Sequence, residues 1–171
     1  MCGPEYTNRP RGGALAALNP PINSISSNIC GDLSFHTPGS PSSSRATHAR
    51  LTPSEECSMK GFSDLYVVIH SKLTSRSSSG DLTRNASECG LFRQFSLQTP
   101  PTSREYVELP LQGPLSLEVG GDGIIGRRVS VYSRLASGQD RIVAEGIVGF
   151  NFMSQASPEE TSCPSSPSPS L

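Results

Sequence analysis

The chain has 171 residues, of which 34% are hydrophobic, and it carries 16 glycines and 15 prolines. This composition allows one domain with a modest core, because it supplies less apolar material than a typical globular domain contains. A net charge of -1 excludes a broad electrostatic field that would attract nucleic acid or an anionic membrane. The chain contains no run of about 18 apolar residues, the length that a membrane-spanning helix needs. Its first residues lack the pattern of a signal peptide.

The chain is predicted to form one all-β domain over residues 14–152. Residues 1–13 are expected to be a disordered arm, and residues 153–171 a disordered tail rich in serine and proline. Between these ends, short apolar segments alternate with turn residues, and no segment has helical periodicity. Such a pattern favours an antiparallel sandwich or barrel. The predicted strands cover residues 14–18, 29–36, 57–62, 65–71, 92–97, 106–109, 115–119, 124–132 and 142–152.

Two serine-rich segments are predicted to be long loops between these strands. They cover residues 37–54 and 71–79. Both are long for hairpin connections, and the second is also a candidate for phosphorylation.

The clearest strand follows the glycine-rich turn at residues 120–126. Alternation predicts that Val129 and Val131 share one face and that Ser130 and Tyr132 lie on the other. Residues 141–152 form a second apolar run, and the short link between the runs predicts a hairpin. The same alternation in residues 66–70 places His70 opposite the face of Val67 and Ile69.

The five cysteines, at positions 2, 30, 57, 89 and 163, include no C-x-x-C pair. Neither a zinc ribbon nor a secreted disulfide scaffold is indicated. We therefore expect free thiols and a reducing compartment.

Several short motifs resemble the copper/zinc superoxide dismutase family. IIGRRVSVY at 124–132 and AEGIVGF at 144–150 are similar to the family's C-terminal I-I-G-R-x-x-V-V-H and R-L-A-C-G-V-I-G. SMKGF at 58–62, GDLSF at 31–35 and GDLTR at 80–84 are similar to the family's S-I-K-G-L, G-T-I-N-F and G-D-L-T. The motifs follow one another in the family's order and extend over residues 14–152. The resemblance implies a Greek-key, immunoglobulin-like β-sandwich of the dismutase type.

The metal ligands that the resemblance implies are mostly missing. The family binds copper and zinc with six histidines and an aspartate, whereas this chain has three histidines in all. Only His70 falls on a ligand position, and Tyr132 replaces a copper-ligating histidine. A redox-active copper needs several convergent ligands, so we expect copper and zinc to be lost. His70 is then expected to be a partly exposed strand residue, with residual metal binding as the alternative.

The resemblance is greatest to the poxvirus superoxide-dismutase-like proteins, which are catalytically inactive. It implies a pseudoenzyme without cofactors, located in the virion or the host cytoplasm, that modulates host redox state. Its partner would be the host copper chaperone for superoxide dismutase, superoxide dismutase itself, or a second copy in a homodimer. The alternatives are an active dismutase with a non-standard metal site, or a virion scaffold protein with no copper-related role.

The same resemblance indicates where a partner would bind. The family pairs its subunits through segments that correspond here to Gly126, Ile147, Val148, Gly149 and Phe150. Two purely structural explanations also apply to these positions. Ile147 and Val148 would fill the core, and Gly126 and Gly149 would be glycines that turns or bulges require.

Overall fold

The computed structural model describes residues 10, 12–21, 29–54, 64–73, 90–98, 106–134 and 137–152. Within these ranges the chain forms strands and no helix, so none of the described residues belongs to a helix that could cross a membrane. The strands are β1 (Ala14–Leu18), β2 (Gly31–His36), β3 (Arg45–Pro53), β4 (Asp64–Leu73), β5 (Leu91–Gln98), β6 (Val107–Val119), β7 (Gly123–Ile125), β8 (Arg127–Arg134) and β9 (Asp140–Phe150).

The strands form one hydrogen-bonded sheet in the order β5-β4-β8-β9-β1-β2-β3-β6-β7. All neighbouring pairs are antiparallel except β6 and β7, which are parallel. Strands β8 and β9 pair directly, which confirms the predicted hairpin.

The two halves of the sheet face each other around one core. Buried side chains from β1, β2 and β3 belong to the same apolar cluster as those from β4, β8 and β9. Phe35 of β2 and Phe95 of β5 meet edge to face with ring centroids 6.3 Å apart, although four strands separate β2 from β5 in the sheet. This contact requires the sheet to fold over on itself, so the all-β, sandwich-like architecture is confirmed.

The faces of β4 and β8 are those that alternation predicts. Val67, Ile69, Val129 and Val131 lie in the main core. A second buried cluster forms on the opposite face of the sheet and comprises Tyr66, Val68, Tyr132 and Ile142. Both faces of this half of the sheet are therefore covered.

One loop prediction and three strand predictions are wrong in their bounds. The segment 37–54 is not a loop throughout, because β3 occupies Arg45–Pro53 between β2 and β6. The single strand predicted over 124–132 is broken at Gly126, where φ is +84°, and the two predicted strands at 106–109 and 115–119 form one continuous strand, β6. The predicted strand at 57–62 and residues 74–79 of the second predicted loop lie outside the described residues. Residues 71–73, predicted to begin that loop, are instead the end of β4.

The arm and tail predictions lie largely outside the described residues. Of residues 1–13, the structure describes Pro10, Gly12 and Gly13. The side chain of Asn151 donates hydrogen bonds to the carbonyls of Pro10 and Gly12, at 2.8 and 2.9 Å. Its backbone N–H donates to Gly13 at 3.0 Å. The residues next to β1 are thus held against the end of β9.

Cys30 forms a disulfide, so the expectation of free thiols is wrong for this cysteine. Its partner sulfur lies outside the described residues. Disulfides persist mainly in oxidising environments, and the cysteines therefore no longer support a reducing compartment.

Candidate metal position and partner surface

His70 lies on β4, on the face of the sheet opposite the main core. Its side chain is only 3% exposed, so the expectation of a partly exposed residue is wrong. The ring nitrogen Nε2 lies 2.9 Å from the hydroxyl oxygen of Ser130 on the neighbouring strand β8. Val68 and Ser130 are cross-strand partners, and this register brings the imidazole over the hydroxyl group.

The surroundings of His70 favour the neutral imidazole. Burial lowers the pKa of His70 to about 4, and the positive charge of Arg128 acts in the same direction. The other ring nitrogen, Nδ1, is buried and has no hydrogen-bond partner among the described residues. At neutral pH the ring is uncharged, which is the form that can bind a metal.

Tyr132 lies on the same face as His70, and its aromatic ring packs against Tyr66. The two rings are stacked with centroids 5.0 Å apart and planes 7° from parallel, as expected for directly paired residues on β4 and β8. The Tyr66 hydroxyl donates to the Asp140 carboxylate, and burial, together with this bond, raises the pKa of Tyr66. Tyr132 is buried as well.

The structure thus brings His70, Ser130 and Tyr132 onto one face, but it supplies a single imidazole there. The other two histidines, His36 and His48, lie on β2 and β3, with β8, β9 and β1 between them and β4. Within the described ranges, no group of three or more histidine, cysteine, aspartate or glutamate side chains could hold a metal. The position at His70 offers one nitrogen ligand with hydroxyl and aromatic neighbours.

The five residues that the resemblance assigns to a partner surface lie around the C-terminal half of β9. The Gly126 N–H donates to the Val148 carbonyl at 2.7 Å, so the β7–β8 connection lies against β9 at this point. The positive φ of Gly126 suits glycine, in agreement with the turn interpretation. Val148 is buried in the core, which agrees with the core interpretation for that residue alone.

Ile147 and Phe150 are exposed. Their exposed fractions are 54% and 49%, and Phe152 just beyond the strand is 84% exposed. The rings of Phe150 and Phe152 touch, with centroids 5.7 Å apart. We call Ile147, Phe150 and Phe152 the β9 surface. Phe152 was not among the predicted interface residues, although its place two residues after Phe150 was visible in the sequence.

A charged pair lies beside Ile147. Arg128, which lies directly opposite Ile147 in the β8–β9 register, forms an ion pair with Glu145. Both charged side chains are partly exposed. Apolar side chains with a polar rim are the composition of protein interfaces.

No protein-family model matches this chain, and no curated protein matches it significantly. The likeness to the superoxide dismutase family therefore depends on the short sequence motifs alone. The function is therefore inferred from the surroundings of His70 and from the β9 surface.

Proposed function

We propose that the chain is a catalytically inactive protein of the copper/zinc superoxide dismutase type that acts by binding another protein through the β9 surface. Its partner is the host copper chaperone for superoxide dismutase or the dismutase itself. The resemblance gives the virion and the cytoplasm of an infected host cell as its setting, and the Cys30 disulfide favours the virion of these two. The observation that carries the proposal is the exposure of Ile147 and Phe150 beside Gly126, where the resemblance locates subunit pairing.

The strand order supports a Greek-key fold. The chain passes from β4 to its neighbour β5, continues to β6 in the other half of the sheet, and returns at β8 to lie beside β4. A strand that returns by a long connection to lie next to an earlier one is the defining feature of the Greek key. The dismutase type is the variant of this fold that the motifs favour.

The surroundings of His70 support a loss of catalysis. Its Nε2 is engaged by the Ser130 hydroxyl, and the aromatic ring of Tyr132 packs on Tyr66 two residues further along β8. Copper that cycles between two oxidation states needs several convergent ligands with oriented neighbours. One buried imidazole beside a hydroxyl group does not provide that set.

The β9 surface supports a binding role because it exposes three large apolar side chains, of which Phe150 and Phe152 touch each other. Aromatic side chains near the centre of an interface contribute a large share of binding energy. Here Phe150 and Phe152 form such a pair, and the Arg128–Glu145 ion pair lies beside Ile147 on the other face of the strand.

Substitution of Phe150 tests the binding role. The Phe150→Glu variant should bind the purified copper chaperone or dismutase at least ten-fold more weakly in calorimetry, because it buries a charge in an apolar contact. The matched control is Val119→Glu, since Val119 is 67% exposed on β6. Equal binding by both variants, or no binding by the native chain at micromolar concentration, would contradict the proposal. Ultracentrifugation of the native chain alone distinguishes a homodimer from a heterologous partner.

A separate assay tests the absence of catalysis. The purified chain, loaded with copper and zinc, should not accelerate superoxide dismutation. Turnover that disappears in the His70→Gln variant would instead establish an active enzyme with a non-standard metal site.

A further inference from the structure

We propose that His36 and His48 form a binding site for a divalent transition-metal ion on the outer face of the β2–β3 hairpin, remote from His70. The two residues are direct cross-strand partners. Directly paired residues on antiparallel strands have neighbouring side chains, with Cβ atoms about 4.5–5.5 Å apart. The site is independent of the β9 surface and of the proposed pairing function.

The two imidazole rings are spaced for a shared ion. Their centroids lie 6.1 Å apart and their planes are tilted by 38°. Metal–nitrogen bonds of about 2.0–2.1 Å leave the centres of two imidazoles on one ion roughly 5–6.5 Å apart. The observed separation falls within that span.

Glu108 orients His36 for this role. The Nε2–H group of His36 donates to the Glu108 carboxylate at 2.8 Å. This bond leaves the lone pair on Nδ1, which is buried and has no hydrogen-bond partner within the described part of the chain. A metal-binding histidine usually donates its other ring N–H to a carboxylate, which fixes the tautomer and raises the basicity of the ligand nitrogen. His36 has this hydrogen bond, with Glu108 as the carboxylate.

His48 presents the second nitrogen. Its Nδ1 lies 2.9 Å from the hydroxyl oxygen of Thr47. In the tautomer that donates from Nδ1 to this hydroxyl, Nε2 carries the free lone pair. His48 is partly exposed, unlike His36, and therefore provides the route by which an ion enters.

Charges of both signs act at His36: Glu108 favours a cation there, and Arg50, whose effect is smaller, opposes it. The guanidinium of Arg50, two residues after His48, lies over the ring of Tyr106 at 3.4 Å from its centroid. Glu108 supplies a negative charge beside the site. Because no third side chain among the described residues completes a cluster of ligands, water would fill the remaining positions. Cu²⁺ should bind most tightly, since imidazole sites follow the usual order of divalent metals.

The three histidines provide a matched test. Cu²⁺ is titrated into the full chain with its thiols alkylated, and the affinity is measured by competition with glycine, with electron paramagnetic resonance to count bound nitrogens. The native chain should give one site with two nitrogen ligands. His36→Gln and His48→Gln should each lose affinity at least ten-fold and retain at most one nitrogen, whereas His70→Gln should bind like the native chain.

A fourth variant tests the role of Glu108. Glu108→Gln should weaken Cu²⁺ binding about ten-fold while both nitrogens remain bound, as expected for loss of a carboxylate that orients a ligand. Circular dichroism checks that each variant is folded, and His48→Gln is the decisive one because its side chain is only partly buried. The proposal is overturned by native affinity in both His36→Gln and His48→Gln, or by an equal loss in His70→Gln.

Discussion

The guanidinium of Arg127 donates a hydrogen bond to the carbonyl of Ser71 at 2.5 Å, which joins the start of β8 to β4, 56 positions earlier. Arg127 is buried and also donates to the carbonyls of Gly123, at 2.6 Å, and Gly121, at 2.5 Å. Its guanidinium lies 4.0 Å from the centroid of the Phe92 ring. Arg127 therefore joins the segment between β6 and β8 to β4, which lies in the other half of the sheet from β6.

Replacement of Arg127 by Met should destabilise the fold strongly. The substitution leaves three backbone carbonyls without their donor, and a hydrogen bond to a charged group contributes about 1.5–3 kcal/mol. We expect the free energy of unfolding in urea to fall by at least about 3 kcal/mol. The matched variant is Arg128→Met, which removes the partly exposed pair with Glu145 and should cost about 1 kcal/mol or less. Similar losses in the two variants would show that the carbonyl contacts contribute little.

The buried His70 should make stability depend on pH. Its pKa is about 4 in the folded chain and 6.5 in the unfolded chain, so between these values the unfolded state binds more protons. Its contribution to the free energy of unfolding should therefore decrease by about 1.4 kcal/mol for each unit that the pH falls through this window. Above pH 6.5 the contribution should be constant.

Urea unfolding at pH 5 and pH 7 measures this dependence. The His70→Gln variant should show a smaller difference between the two pH values than the native chain, because glutamine does not titrate. A remaining difference is expected from His36, whose pKa burial also lowers. An unchanged difference in His70→Gln would mean that the His70 ring becomes protonated as readily in the folded as in the unfolded chain.

The disulfide at Cys30 predicts the number of free thiols. With five cysteines in the chain and one disulfide that includes Cys30, at most three thiols should react with Ellman's reagent in denaturant. Five reactive thiols in chain purified without a reductant would contradict the disulfide. Cys30→Ser should also lower the free energy of unfolding by about 2–4 kcal/mol under oxidising conditions only, since the cross-link limits the unfolded state.

Alternation of side chains sufficed to predict the half of the sheet around β4 and β8. Val67, Ile69, Val129 and Val131 repeat with a period of two, and all four lie in the main core. The pairing of β8 with β9 followed from two apolar runs and a short link. These patterns are local in the sequence, so they can be interpreted without knowledge of the rest of the fold.

Strand β3 could not be predicted in the same way. Its core residues are Ala46, Ala49 and Leu51, and a shift in register between Ala46 and His48 interrupts the period of two. Two of these residues are alanines, which give a weak apolar signal next to a serine-rich segment. The proximity of His36 and His48 depends on the β2–β3 pairing, and it was therefore invisible in the sequence as well.

Two glycines on β9 should respond differently to alanine. A Cβ atom at Gly146 would lie 2.5 Å from the Ala17 carbonyl oxygen on β1, whereas one at Gly149 would lie 3.8 Å from the Leu15 carbonyl oxygen. The first distance forces the backbone to shift and should cost about 1–3 kcal/mol of unfolding free energy. The second is an ordinary contact, and Gly149→Ala should change stability by less than about 0.5 kcal/mol.

Gly149 therefore does not meet the expectation that a turn or bulge requires glycine there. It lies on the same face of β9 as Ile147, two residues earlier, so a methyl group at this position alters the β9 surface without unfolding the strand. Thermal melting compares the two variants, and binding to the proposed partner is then measured with Gly149→Ala alone. A large loss of stability in Gly149→Ala would show that glycine is needed there for packing. A native melting temperature with weaker binding would instead locate its role at the interface.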